Sequence, residues 1–144
     1  MIFNEIWNER FLDLAQLVGS WSKDPSTKVG AVIVRPDRTI ASVGFNGFPR
    51  NVADVYTTRE DKLMRTVHAE MNAILAAVEP VRGYVLYVSP LFPCANCAAA
   101  IIQSGISHVV AHMGPPRPEW QVSFDTAVSM FEQAGITANL YRTK

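Results

Sequence analysis

The chain has 144 residues, enough for one domain, residues 1–144, with a substantial buried core. Thirteen basic and thirteen acidic residues cancel to a formal net charge of zero, which argues against a protein that binds a long polyanion such as nucleic acid. No run of about 18 apolar residues exists to span a membrane, and no signal peptide is recognisable at the start, so we expect a soluble cytoplasmic protein.

The first third of the chain predicts a helix followed by a β-hairpin. Residues 4–20 carry apolar side chains at helical spacing, which predicts an amphipathic helix against one face of a sheet. The apolar stripe consists of Ile6, Phe11, Leu14, Leu17 and Val18. After a polar loop, the apolar β-branched run 29–34 predicts a buried strand, and 39–43 predicts the returning strand. Two glycines in the next segment, 44–50, allow the backbone to approach a ligand closely.

The rest of the chain predicts alternating helices and buried strands. Residues 51–65 lack an apolar period, which predicts a surface loop or a short irregular helix. The later elements are a helix over 68–78, a strand over 83–88, a helix from 93 to 105, a strand over 106–111, a helix over 120–134 and a strand over 136–141. This order indicates the α/β class, a three-layer α/β/α sandwich on a five-stranded mixed sheet.

Two short motifs, His68-Ala69-Glu70 and Pro93-Cys94-Ala95-Asn96-Cys97, carry the chemistry of the chain. Residues three apart at a helix start share one face, and the helix dipole there favours the thiolate form of cysteine that binds metal. A third ligand from His68 leaves one tetrahedral position open, the pattern of a catalytic zinc. Glu70 is then positioned to take a proton from a water molecule and to return it. This signature is typical of zinc deaminases that act on nucleobases.

The motifs resemble those of the zinc-dependent cytidine/deoxycytidylate deaminase superfamily, and the likeness extends roughly from Trp7 to Ile136. Segments Ser22–Val34 and Gly44–Gly47 resemble the deoxycytidylate deaminases in particular. The resemblance implies the cytidine deaminase-like fold, one catalytic Zn²⁺ per chain, and hydrolytic deamination of the nucleotide dCMP. The products would be ammonia and dUMP, which supplies thymidylate synthesis.

The resemblance also implies substrate contacts outside the metal motif. The residues concerned are Lys23, Ser26, Asn46, Ala69 and Trp120. Lys23 and Ser26 offer charge and a hydroxyl donor to a phosphate, and Asn46 corresponds to a residue that contacts the sugar. Trp120 lies where the family places an aromatic residue near the base, and would stack on cytosine. A solvated loop for Lys23 and core packing for Trp120 are the structural alternatives.

Regulation and assembly are likewise expected only from the resemblance. It implies control by the nucleotides dCTP and dTTP with Mg²⁺, and a homo-oligomer, either a hexamer or a dimer. The regulatory nucleotide would bind at Gly44, Asn46, Gly47 and Arg50. Two departures from the family pattern are Phe45, where a tyrosine is common, and the loop Ser89–Pro93, which is one residue longer and puts the base contacts in question.

A competing zinc site would combine Cys94 and Cys97 with His108 and His112. In zinc fingers the cysteines lie on a hairpin and the histidines on a helix, which is the reverse of the order predicted here. On a strand rising roughly 3.3 Å per residue, the two histidines would lie about 13 Å apart and could not share one ion. We therefore expect both to be ordinary surface or strand-end histidines.

Two other functions stay open from sequence alone. One keeps the chemistry but changes the substrate to another cytosine nucleotide, a nucleoside, a modified cytosine or a base in nucleic acid. The other is a catalytically silent, zinc-stabilised binding subunit. The presence of Glu70 argues against the second, because a structural zinc needs no proton shuttle.

Overall fold

The computed structural model describes residues 3–143 as helices packed on both faces of one β-sheet. The helices are α1 (Glu5–Gly19), α2 (Arg59–Arg65), α3 (Ala69–Ala76), α4 (Ala95–Ser104) and α5 (Gln121–Ala134), with a 3₁₀ turn over Pro118–Trp120. The strands are β1 (Gly30–Val34), β2 (Ile40–Phe45), β3 (Val85–Ser89), β4 (His108–Met113) and β5 (Thr137–Arg142). Among these residues, no helix has the length and apolar character needed to cross a membrane.

The sheet has the strand order β2-β1-β3-β4-β5 and is mixed. Strand β1 runs antiparallel to both of its neighbours, whereas β3, β4 and β5 run parallel to one another. Successive strand residues point to opposite faces, so Val85 and Tyr87 pack under α1 while Leu86 and Val88 pack under α3, α4 and α5. The predicted α/β class and three-layer sandwich are confirmed.

The apolar face of α1 differs from the predicted stripe. Its buried apolar residues are Phe11, Leu12, Ala15 and Val18. Ile6 and Leu17 are instead 60% and 56% exposed. The buried residues recur at intervals of three and four, which places them on the single side of α1 that meets the sheet.

Helix α3 is held against the hairpin by a close backbone approach at Gly44. A Cβ atom at this position would lie 2.4 Å from the backbone nitrogen of Ala73 and 2.6 Å from the carbonyl oxygen of Ala69. No side chain fits in that space, so the glycine sets the distance between β2 and α3. The sequence predicted a close backbone approach to a ligand at this glycine, but the approach is to helix α3.

A buried polar network joins α1 to two strands. The Oη of Tyr87 donates to Asn8 Oδ1 at 2.6 Å, and Asn8 Nδ2 donates to Tyr141 Oη at 3.1 Å. Asn8 Nδ2 also contacts the carbonyl oxygen of Phe3 at 3.3 Å. Burial raises the pKa of Tyr87, so its hydroxyl stays protonated and remains a donor. The network satisfies polar groups inside the apolar layer under α1.

Of the two expected positions, surface or strand end, the surface is wrong for His112: it lies next to the last residue of β4 and is 5% exposed. Strand β4 continues two residues past its predicted end at 111, and His112 consequently lies between β3 and β5. Its Nδ1 lies 2.7 Å from Ser89 Oγ, at the end of the neighbouring strand. His108 is half-buried at the other end of the strand, with its Nδ1 2.9 Å from Ser107 Oγ.

Candidate active site

The N-termini of α3 and α4 bring together a histidine and two cysteines. His68 is the N-cap residue of α3, Cys94 is the N-cap residue of α4, and Cys97 lies in the first turn of α4. His68 Nδ1 is 3.3 Å from Cys97 Sγ and 3.5 Å from Cys94 Sγ, and the three ligand atoms all lie within 4.8 Å of one another. Bonds of about 2.1 Å to nitrogen and about 2.3 Å to sulfur at a tetrahedral angle give an N–S distance of about 3.6 Å. The three residues therefore fit Zn²⁺.

The protonation of the two thiols also suits a metal site. Hydrogen bonds from Cys97 and His68 outweigh partial burial and lower the pKa of Cys94, whereas the bond to Cys94 and burial raise the pKa of Cys97. The hydrogen bond to Cys94 raises the pKa of His68. One thiolate is thus stabilised by the protein itself, and a soft cation binding here would displace the proton of the second thiol.

Glu70 lies beside the metal ligands without being one of them. It belongs to the first turn of α3, two residues after His68, and is 4% exposed. Burial raises its pKa to about 6. A carboxyl group with a pKa close to neutral can both hold and release a proton, which is what general acid–base catalysis needs.

A cavity of about 290 Å³ opens onto this cluster, close to the lower end of cavity volumes that hold small ligands, about 300 Å³. Its apolar lining consists of Val29, Leu63, Ala69, Leu91, Phe92, Trp120 and Phe124. Its polar lining includes Asp24, Ser26, Thr27, Asn46, Arg59, Lys62 and Arg117. One cavity therefore combines the metal cluster with aromatic rings and with several hydrogen-bond donors.

Four of the five residues expected to contact substrate line this cavity. They are Ser26, Asn46, Ala69 and Trp120. Lys23 does not: its side chain is 85% exposed and forms an ion pair with Asp54 at 3.1 Å, beside a smaller surface depression. Asp24 points inward at this bend and accepts hydrogen bonds from the backbone N–H groups of Ser26 and Thr27, which leaves Lys23 outside.

The amide of Asn46 holds the loop that precedes β1. Its Oδ1 accepts from the backbone nitrogen of Val29 at 2.9 Å, and its Nδ2 donates to the carbonyl oxygen of Thr27 at 2.8 Å. Asn46 is 6% exposed. Its clearest role in the structure is thus to shape one wall of the cavity, with one amide hydrogen left for a ligand.

A buried ion pair between Asp24 and Lys62 was not foreseen from the sequence. The Lys62 Nζ lies 2.9 Å from Asp24 Oδ1 and 3.2 Å from Ser26 Oγ, and the two charged side chains are 7% and 10% exposed. Burial alone would raise the pKa of Asp24, but the bonds from Lys62 and from two backbone N–H groups lower it. In the sequence, Thr58 is a favourable N-cap residue and so indicates the short helix that carries Lys62, but nothing indicates the ion pair. In the structure, Thr58 caps α2 by accepting from Asp61 N at 3.0 Å.

The four residues expected to form a regulatory site do not share one cavity. Gly44 lies against α3, Asn46 lines the main cavity, Gly47 lines the smaller depression, and Arg50 is exposed in a turn. Gly47 also forms two backbone hydrogen bonds with Val67, at 2.8 and 3.1 Å. This bridge fixes the chain one residue before His68.

Comparison with known proteins shows one consistent family. A family model described as the cytidine and deoxycytidylate deaminase zinc-binding region matches residues 5–113. An uncharacterized deaminase from the luxG 3′ region of Aliivibrio fischeri is 50% identical over 137 residues, which covers 90% of each chain. The deoxycytidylate deaminase of Mus musculus is 36% identical over 149 residues, 96% of this chain and 81% of that protein.

The same fold occurs in a solved structure. The dCMP deaminase of cyanophage S-TIM5, crystallised with dCMP and dUMP, superposes with a TM-score of 0.81 at 22% sequence identity. The match covers 97% of this chain and 100% of the phage protein. At this identity, the likeness establishes the cytidine deaminase-like fold alone.

Proposed function

Because the chain belongs to the zinc-binding cytidine and deoxycytidylate deaminase family, we propose that it catalyses the hydrolytic deamination of dCMP to dUMP and ammonia. The observation that carries this proposal is the cluster of His68, Cys94 and Cys97, which adjoins a cavity also lined by the buried carboxyl of Glu70. A purely structural zinc needs neither an open cavity nor a neighbouring acid. An enzyme that activates water needs both.

The three ligands and Glu70 divide the chemistry between them. When bound to His68, Cys94 and Cys97, Zn²⁺ supplies the Lewis acidity that makes a water molecule nucleophilic at neutral pH. Glu70 would take one proton from the attacking water and deliver it to N3 of cytosine as the oxygen adds to C4. Glu70 then takes the proton that remains on the added oxygen and passes it to the amino group at C4. The C4=O bond forms as the C4–N4 bond breaks, which gives ammonia and the uracil base of dUMP.

The remaining cavity residues orient the nucleotide. The ring of Trp120 stacks on the base, and the backbone of Ala69 lies beside the ligands where the amide edge of the base is bound. Ser26 and Asn46 serve the sugar-phosphate end of the substrate. These contacts exclude water and hold C4 near the reacting oxygen, which contributes to rate through orientation.

The test is ammonia release by the zinc-loaded protein from dCMP, CMP, deoxycytidine and 5-methyl-dCMP. We expect selective turnover of dCMP. Preference for one of the other three would reassign the substrate within the same chemistry. No turnover of any of the four by protein that binds one zinc per chain would contradict the proposal and favour a silent binding subunit.

We infer a cytoplasmic homo-oligomer, hexamer or dimer, of one deaminase domain over residues 1–144. Control by dCTP with Mg²⁺, and by dTTP, would act at Gly44–Arg50. The open space around Gly47 and the exposure of Arg50 support access for an effector. Repeating the ammonia assay with dCTP plus Mg²⁺ or with dTTP tests the regulatory site. Unchanged rates with both nucleotides would contradict regulation by either of them.

A further inference from the structure

Three basic side chains line the cavity, Arg59, Lys62 and Arg117, and their electrostatic surroundings differ. Lys62 is neutralised by Asp24 at 2.9 Å. Arg59 is exposed to solvent. Arg117 lies in the loop before the 3₁₀ turn, is half-buried, and takes part in none of the ion pairs formed among residues 3–143.

The guanidinium of Arg117 has a donor without an acceptor. Its Nη1 donates to Thr27 Oγ1 at 3.2 Å, across the cavity from one loop to another. Its Nε–H is buried and has no hydrogen-bond acceptor in the part of the chain that the structure describes. A buried, charged donor that lacks an acceptor is costly, so its presence in a native protein calls for an explanation, such as a functional role or a bound ion.

The surroundings of Arg117 suit an anion. The Thr27 hydroxyl uses a lone pair to accept from Arg117, which leaves its own hydrogen to donate. The Ser26 hydroxyl can likewise donate its hydrogen, because it uses a lone pair to accept from Lys62 Nζ at 3.2 Å. Two hydroxyl donors and a guanidinium without a carboxylate partner thus line the same cavity.

We propose that Arg117 binds the 5′-phosphate of the nucleotide and determines the preference for a nucleotide over a nucleoside, a role that rests on the proposed function. A guanidinium presents parallel N–H groups that match two phosphate oxygens, and it remains charged at all working pH values. The hydroxyl groups of Thr27 and Ser26 complete the contact. The exposed Lys23, expected from sequence to serve the phosphate, is then unnecessary for it.

The same short turn fixes both ends of the substrate. The backbone N–H of Trp120 donates to the carbonyl oxygen of Arg117 at 2.9 Å, so the two side chains leave one rigid 3₁₀ turn. With Arg117 on the phosphate and Trp120 on the base, the distance between the two side chains must match the distance from phosphate to base in the nucleotide. A nucleoside, which lacks the phosphate, would contact Trp120 but not Arg117.

The experiment compares kcat/KM for dCMP and for deoxycytidine in the wild-type protein, Arg117→Gln and Arg117→Lys. We expect Arg117→Gln to lower the value for dCMP roughly 10- to 150-fold, the range for a hydrogen bond to a charged group, and to leave deoxycytidine within about twofold. Arg117→Lys should recover part of the loss, because lysine keeps the positive charge but lacks the parallel N–H groups of the guanidinium. Arg65→Gln is the control, an exposed arginine outside the cavity that pairs with Asp61.

Equal losses for dCMP and deoxycytidine, or no loss for dCMP, would overturn the assignment. A second arm needs no turnover: calorimetric titration of dUMP and deoxyuridine into the wild-type and Arg117→Gln proteins. The wild type should bind dUMP more tightly, and Arg117→Gln should remove that preference. A wild-type protein without the preference, or a variant that keeps it, contradicts the inference even if dCMP is turned over. The preference without any turnover would instead count against the proposed reaction alone.

Discussion

Two buried carboxyl groups in the same cavity have opposite protonation behaviour. Asp24 receives hydrogen bonds from Lys62 and from two backbone N–H groups, and these lower its pKa despite burial. For Glu70, burial outweighs hydrogen bonds from its own backbone N–H and from Cys97, and raises its pKa to about 6. Asp24 therefore stays ionised and structural, while Glu70 is able to exchange a proton.

The separate roles of ligand and proton carrier predict a difference between two variants. Glu70→Gln should keep zinc at one ion per chain but lose turnover of dCMP by about 10²- to 10⁴-fold, the usual contribution of general acid–base catalysis. His68→Ala should lose both zinc and turnover. Metal content by atomic absorption and ammonia release measure the two properties on the same samples. Full activity of Glu70→Gln would exclude the proposed proton transfers.

At the scale of elements, the site depends on how closely β2 approaches α3. Gly44→Ala would place a methyl group 2.4 Å from the backbone nitrogen of Ala73, so α3 must move away from β2. We expect the free energy of unfolding to fall by about 1–3 kcal/mol, as for overpacked cores, and zinc affinity to fall with it because His68 opens α3. Urea unfolding and competition with a chelator measure both.

The matched control is Gly47→Ala, in the same hairpin exit. A Cβ atom there has no neighbour within 4 Å, and the residue has an ordinary φ. Its unfolding free energy should change by less than about 0.5 kcal/mol, as at most surface positions. Equal destabilisation by the two substitutions would mean that glycine flexibility, and not the contact with α3, matters at this exit.

The elements that sequence predicted well are those determined by local pattern. The β-branched run of β1 and the motif containing Cys94 and Cys97 carry enough information within a few residues. The outward direction of Lys23 depends instead on the pair between Asp24 and Lys62, which are 38 positions apart. No spacing rule covers such a pair, and the charged run around Lys62 resembles an ordinary solvated surface. Arg117 was missed for the same reason, since its partner Thr27 is 90 positions away.

For the whole molecule, the three metal ligands connect segments that are otherwise separate in the chain. Zinc should therefore stabilise the folded state by mass action, by about 4 kcal/mol when free zinc is 1,000 times its dissociation constant. Calorimetry should show a melting temperature that is lower by several degrees after chelation and restored by added zinc. His68→Ala should melt at nearly the same temperature with and without zinc. A wild-type protein that is indifferent to zinc would contradict a bound, folded-state-specific ion.

The hydrogen bond between Asn8 and Tyr141 spans 133 positions of the chain. Helix α1 and strands β1, β2 and β3 precede β5 in the chain and are therefore synthesised before it. The Asn8 amide can bond to Phe3 and Tyr87 once α1 packs on β3, so only its bond to Tyr141 waits for β5. Closing so long a loop is entropically expensive, so the contact is expected late in folding. The contact of α1 with Tyr141 thus forms only once β5 has joined the sheet beside β4.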